Sequence, residues 1–148
     1  MLVEPEIPQN TGSIARLAAA TNTHLDLVGP LGFSLEDRYL KRAGLDYWPF
    51  VKLAVHDNWS EYVASCPTGR ALAFSARRGK PYTECAFEPG DRMFFGKETK
   101  GLGADLLDDL SETTYRIPID NPGVRSLNLA NSVAIVLYEA RRQLGLGK

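Results

Sequence analysis

Apolar positions are most regular near the end of the chain. In residues 125–144, RSLNLANSVAIVLYEARRQL, Ala130, Val133, Ala134, Leu137, Ala140 and Leu144 recur at the spacing of one helical face. Val133 to Tyr138 is apolar on every side, which predicts a helix with a buried middle. Arg141 and Arg142 suit the negative end of its dipole, and Gly145 supplies a stop. The start is polar: Arg125, Ser126, Asn128 and Asn131. Ser126 and Asn128 either cap the first turn or face a ligand, and the pattern leaves both open.

Upstream, the pattern alternates short strands with helices. Leu2 and Val3 close a first strand, and Glu4 to Pro8, with two prolines, is an extended loop. A helix capped by Asn10 or Thr11 runs to about Ala20, with Ile14, Leu17, Ala18 and Thr21 on one face and Arg16 off it. His24 to Val28 is the second strand. Ser34 and Asp37 resemble a capping box before a short helix to Ala43. Phe50 to Val55 is strand-like, Trp59 to Ser65 a short helix, and Arg70 to Phe74 a strand. Ser75 to Pro89 reads as loop, because Gly79-Lys80-Pro81 breaks any regular element. Arg92 to Phe95 is a strand running into Gly96, Ala104 to Leu110 a helix, and Thr114 to Ile117 the last strand. This alternation predicts an α/β fold: a mostly parallel sheet flanked by helices. Ligands in such sheets bind outside the carboxyl ends of the strands, here Ser75, Gly96 and Ile117.

At 148 residues, without internal repeat or linker, a single domain over residues 1–148 is expected. No apolar run reaches the length of a membrane span, and the first residues do not form a signal peptide. Cys66 and Cys85 are not a close pair and read as reduced thiols of a cytoplasmic protein. His24 and His56 have no ligand-spaced partners, so no metal site is expected. A net charge of −1 argues against binding nucleic acid by overall electrostatics. An RNA partner would need its cations gathered on one face. Candidate clusters are Arg38, Lys41 and Arg42, then Arg77, Arg78 and Lys80. The plainer reading of each cluster is a solvated surface.

Three motifs follow apolar runs or precede the long helix: N-T-G-x-I-x-R from Asn10 to Arg16, F-G-x-E-x-x-G-L from Phe95 to Leu102, and R-S-L-N-L-A-N from Arg125 to Asn131. In order, they resemble the motifs of the SPOUT-class (SpoU/TrmH-like) RNA ribose 2′-O-methyltransferases. Residues 41–48, KRAGLDYW, resemble a signature of the small, single-domain members that act on the tRNA wobble nucleotide, cytidine or carboxymethylaminomethyluridine. The resemblance runs from Val3 to about Gly145. It departs from the pattern at Ala130, where a small polar residue is usual, and in a slightly long loop from Asp120 to Val124.

The resemblance implies a C-terminal trefoil knot, a homodimer, a tRNA substrate and S-adenosylmethionine as cofactor. Ser75, Gly96, Ile117, Ser126 and Leu127 would line the cofactor pocket. Asn10, Arg16, Glu98, Ser126 and Asn128 match the polar motif positions, and Tyr138 matches a tyrosine linked to activity. A homodimer would use the terminal helix and the first helix, bringing Arg16 of one subunit near the other's cofactor. Arg16 falls where the ribose 2′-hydroxyl is thought to be activated. A guanidinium with a pKa above about 12 stays charged, which suits a phosphate grip and a forming alkoxide better than a general base. Two other readings remain: a methyltransferase for another tRNA or rRNA position, and a non-catalytic RNA-binding module on the same scaffold.

Overall fold

The computed structural model describes residues 1–36, 46–65 and 68–147. Most of the helix expected between Ser34 and Ala43, Cys66, and most of the 41–48 signature lie outside the described residues. The elements run β1 (Leu2–Val3), α1 (Pro8–Ala20), β2 (His24–Val28), β3 (Lys52–His56), α2 (Trp59–Ala64), β4 (Ala71–Phe74), β5 (Lys80–Pro81), β6 (Arg92–Phe95), α3 (Ala104–Asp109), β7 (Thr114–Arg116) and α4 (Leu129–Gln143).

The seven strands of the described residues join one sheet in the order β3-β2-β1-β6-β4-β7-β5. Every pairing is parallel. Neighbouring residues of a strand point to opposite faces, and the sequence satisfies both faces at once. Leu25, Leu27, Leu72, Phe74 and Phe95 face one core, with Ile14, Ala15 and Ala18 of α1 and Val133, Val136 and Ala140 of α4. Val28, Ala73 and Phe94 face the other, with Tyr62 of α2 and Leu107 of α3. Each large aliphatic side chain so buried contributes about 1.5–3 kcal/mol. Arg141 of α4 donates to the Thr21 carbonyl at the end of α1, tying the two helices together. No helix among the described residues is long and apolar enough to cross a membrane.

Five local expectations are corrected. α1 begins at Pro8, not at Asn10 or Thr11, because proline suits the first helical position, where no backbone N–H is needed. α4 begins at Leu129; Arg125 to Leu127 precede it. The middle of α4 is buried on one side only, with Val133, Val136 and Leu137 covered and Tyr138 56% exposed. Finally, Lys80–Pro81 forms the edge strand β5 beside β7 where loop was expected. Proline cannot donate to a ladder, so an edge is where it is tolerated. The strand expected over Phe50 to Val55 is displaced to Lys52–His56, because Trp48–Phe50 forms a 3₁₀ turn.

Candidate functional site

Three adjacent strands, β6, β4 and β7, end side by side. The first residues beyond them are Gly96, Ser75 and Ile117. A cavity of about 860 Å³ opens there, within the range of small-molecule sites. Ser75, Gly96, Ile117, Ser126 and Leu127 all line it, together with Asn10, Glu98 and Asn128. Residues separated by more than a hundred positions thus share one wall.

The segment after β6 folds back on itself. Lys97 and Gly101 form an antiparallel bridge, with the Gly101 N–H donating to the Lys97 carbonyl at 2.7 Å. Gly101 takes φ +69°, a conformation that favours glycine. A side chain on Gly96 would put its Cβ 2.0 Å from the Gly101 carbonyl carbon. The missing side chain therefore admits the chain's own returning backbone, so Gly96 shapes the loop before it serves any ligand.

Glu98 anchors this loop to the start of α1. Its carboxylate accepts from the backbone N–H of Glu6 at 2.8 Å and of Ile7 at 3.1 Å, and from Nδ2 of Asn10 at 3.1 Å. Ile7, at the cap position, offers no side-chain acceptor, so a carboxylate from across the fold occupies the positive end of the helix. Glu6 returns the exchange by accepting from the Thr99 N–H at 3.1 Å and from its hydroxyl. Glu4 pairs with Lys97, and that hydrogen bond raises the lysine's pKa. Asn10 is 8% exposed and does not cap α1; its Oδ1 accepts from Nδ2 of Asn128 at 2.9 Å. The Oδ1 of Asn128 in turn caps α4, accepting from the N–H groups of Ala130 and Asn131. For Asn128, capping and facing the cavity are both realised by one side chain.

Arg16 and Tyr138 are outside this assembly in the single chain. Arg16 is exposed on α1, its guanidinium 5.5 Å from the centre of the Tyr47 ring. Tyr138 lies ten residues beyond Asn128, about 15 Å along α4, with the Arg141 guanidinium 5.8 Å over its ring. Sequence reasoning missed Tyr47 as an individual residue. Its hydroxyl donates to the Gly12 carbonyl of α1 at 2.8 Å while its ring underlies Arg16. Burial raises its pKa, against the nearby charge of Arg16. Glu6 and Ile119 were also missed, since only the folded loops bring them to the site.

A parallel α/β sheet with a ligand-sized cavity across adjacent strand ends, walled by a refolded glycine loop and the start of a long helix, defines the class. The chain belongs to the SpoU rRNA Methylase family, whose model matches residues 1–138. It is 48% identical to the tRNA (cytidine(34)-2'-O)-methyltransferase of Burkholderia pseudomallei, over 98% of this chain and 94% of that protein. A solved structure concerned with the 2-OH methylation of C/U34 on tRNA superposes with a TM-score of 0.92, at 48% identity, covering 97% of this chain and 93% of the other. The AdoMet-bound rRNA methyltransferase from Sinorhizobium meliloti is similar with a TM-score of 0.84 at 25% identity, covering 97% of this chain and 55% of that one.

Proposed function

We propose that this protein transfers a methyl group from S-adenosylmethionine to the ribose 2′-hydroxyl of the tRNA wobble nucleotide. The observation that carries the reading is the convergence of Ser75, Gly96, Ile117, Ser126 and Leu127 on one cavity, with Asn10, Glu98 and Asn128 in its wall. The relatives that act on position 34 supply the substrate.

The lining fits the cofactor. Ile117, Ile119, Leu127 and Leu129 offer an apolar wall to a purine ring, and the Gly96–Gly101 backbone offers polar groups to its edge. When bound, S-adenosylmethionine brings a methyl group already activated on a sulfonium. The chain's task is then positioning: a well-oriented pair can gain as much as about 7–11 kcal/mol. Glu98 and Asn128 are positioning residues in this reading. They hold the glycine loop, α1 and α4 in one register rather than moving protons. Among the described residues the Ser126 side chain makes no hydrogen bond, and it lines the cavity just before α4, suited to touch ligand.

Arg16 remains charged, grips an RNA phosphate and stabilises the forming alkoxide. It works from the other subunit of a homodimer built on α1 and α4, which supplies the group the single cavity lacks. Ala134 and Ile135 are incompletely covered and Tyr138 is exposed, which leaves part of α4 for a partner copy. A single domain over residues 1–148, a C-terminal trefoil knot and a cytoplasmic location complete the proposal.

The test is mass spectrometry of tRNA ribose methylation in cells with and without this protein, followed by reconstitution with purified components. Methylation at position 34 that depends on the protein is the expected result. Methylation elsewhere, or none, overturns it in favour of another RNA position or a non-catalytic binding module.

A further inference from the structure

Most cations of the described chain are already committed to protein partners. Arg70 pairs with Asp91 and Glu88, Arg78 with Asp108, Lys97 with Glu4, and Arg142 with Glu139. Arg116 donates to the Gly79 carbonyl and Arg141 to that of Thr21. Of the remainder, Arg16, Lys52 and Lys80 lie outside the cavity lining, and three cations differ from them by their place. Among the described residues, the side chains of Arg77, Lys100 and Arg125 make no hydrogen bond or ion pair, and all three are exposed on the lining of the same cavity. They come from three separate loops: after β4, after β6, and before α4. The cavity's one acidic lining residue, Glu98, is satisfied by its three N–H donors. A chain of net charge −1 therefore presents a locally cationic mouth.

We propose that Arg77, Lys100 and Arg125 form a phosphate clamp that seats the RNA backbone over the cavity mouth. The inference rests on the RNA-methylating reading above and adds to it the residues that hold the strand. Arginine forks suit phosphate oxygens bidentately, and Lys100 adds a point charge. Side chains left exposed and unpaired are ready to bind without first breaking an ion pair. Arg78 and Lys80, grouped with Arg77 in the sequence, are not part of the clamp. Arg78 is bound to Asp108, and Lys80 stands in the edge strand β5 outside the cavity lining.

The test compares Arg77→Ala, Lys100→Ala and Arg125→Ala with Lys52→Ala, a control on the far edge strand β3. Binding of a tRNA transcript and of a short single-stranded RNA is measured across salt concentrations, and S-adenosylmethionine affinity by calorimetry. Each clamp variant should weaken both RNAs several-fold. Each should lower the slope of log affinity against log salt by about 0.7–0.9. KM for tRNA should rise by more than kcat falls, cofactor affinity should hold, and Lys52→Ala should match the parent. RNA affinity and salt slope unchanged in all three variants would overturn the clamp. So would a loss confined to S-adenosylmethionine, which would assign these cations to its carboxylate. If the parent methylates no tRNA, the function proposed above fails, while the two RNA affinities still decide the clamp.

Discussion

The Nδ2 of Asn128 donates to the Oδ1 of Asn10 at 2.9 Å, joining residues 118 positions apart in the chain. The bond links the first turns of α1 and α4, and through Asn10 it reaches Glu98. Replacing Asn128 with Ala should remove both this link and the α4 cap. The expected cost is about 1–2 kcal/mol of stability. Asn128→Asp keeps a capping oxygen but loses the donor to Asn10. Thermal unfolding should therefore rank the parent above Asp and Asp above Ala; an Ala variant as stable as the parent would show that the cap is dispensable.

Gly96→Ala should damage the loop itself. The added Cβ would lie 2.0 Å from the Gly101 carbonyl carbon, so backbone must move. Overpacking of this kind costs about 1–3 kcal/mol. Calorimetry should find cofactor affinity lost, and thermal unfolding should find a lowered midpoint in the same variant. Undiminished cofactor affinity would remove the loop from the binding site.

Glu98→Gln should weaken the hold on α1. The carboxylate serves three N–H donors, whereas an amide presents an NH₂ group where one of them sits. Protease nicking within residues 96–102 should accelerate and turnover should fall. If both stay at the parent level, the carboxylate exchange between the loop and α1 has no mechanical role.

Arg16 and Tyr47 are coupled by the ring beneath the guanidinium. Arg16→Ala should lose turnover by orders of magnitude with cofactor binding near normal. Arg16→Lys should keep partial activity at neutral pH; a rate that climbs tenfold per pH unit towards the lysine pKa would instead make this side chain the base. Tyr47→Phe keeps the ring and should retain more kcat than Tyr47→Leu, which loses both ring and the hydrogen bond to Gly12.

Glu139 predicts an acid sensitivity. The Arg142 guanidinium, and secondarily the Gln143 amide, hold its carboxyl down at about 2 from an ordinary 4.5. A depressed carboxyl contributes stability that is present above about pH 4.5 and is lost as pH falls towards 2. Gln143 in turn accepts from the Phe87 N–H and donates to the Cys85 carbonyl, so the effect reaches the 85–87 segment. The unfolding midpoint should fall less steeply between pH 5 and 2 in Glu139→Gln than in the parent; parallel profiles would refute the linkage.

The class of fold and the positions at the strand ends are legible in the order of residues alone. Short, continuous apolar runs interleaved with helical stripes allow few arrangements other than a parallel sheet covered on both faces. Ser75, Gly96 and Ile117 could be placed because the end of an apolar run is local information. Tertiary structure alone decided which ends became neighbours, because the strand order β6-β4-β7 is set by packing across the whole sheet. It also decided the partners of Asn10, Glu98 and Asn128. Each is a plausible cap or surface residue in its own segment, and only a fold that brings residues 6–10, 98 and 128 together turns them into one hydrogen-bonded wall. The acceptor that caps α1 is hidden for the same reason: it comes from Glu98, about ninety residues away, and Pro8 alone marks the helix start locally. Exposure of one side of α4 was invisible as well. Apolar residues all round a helix state that burial is favourable, but not whether the chain's own sheet or a second copy supplies the cover.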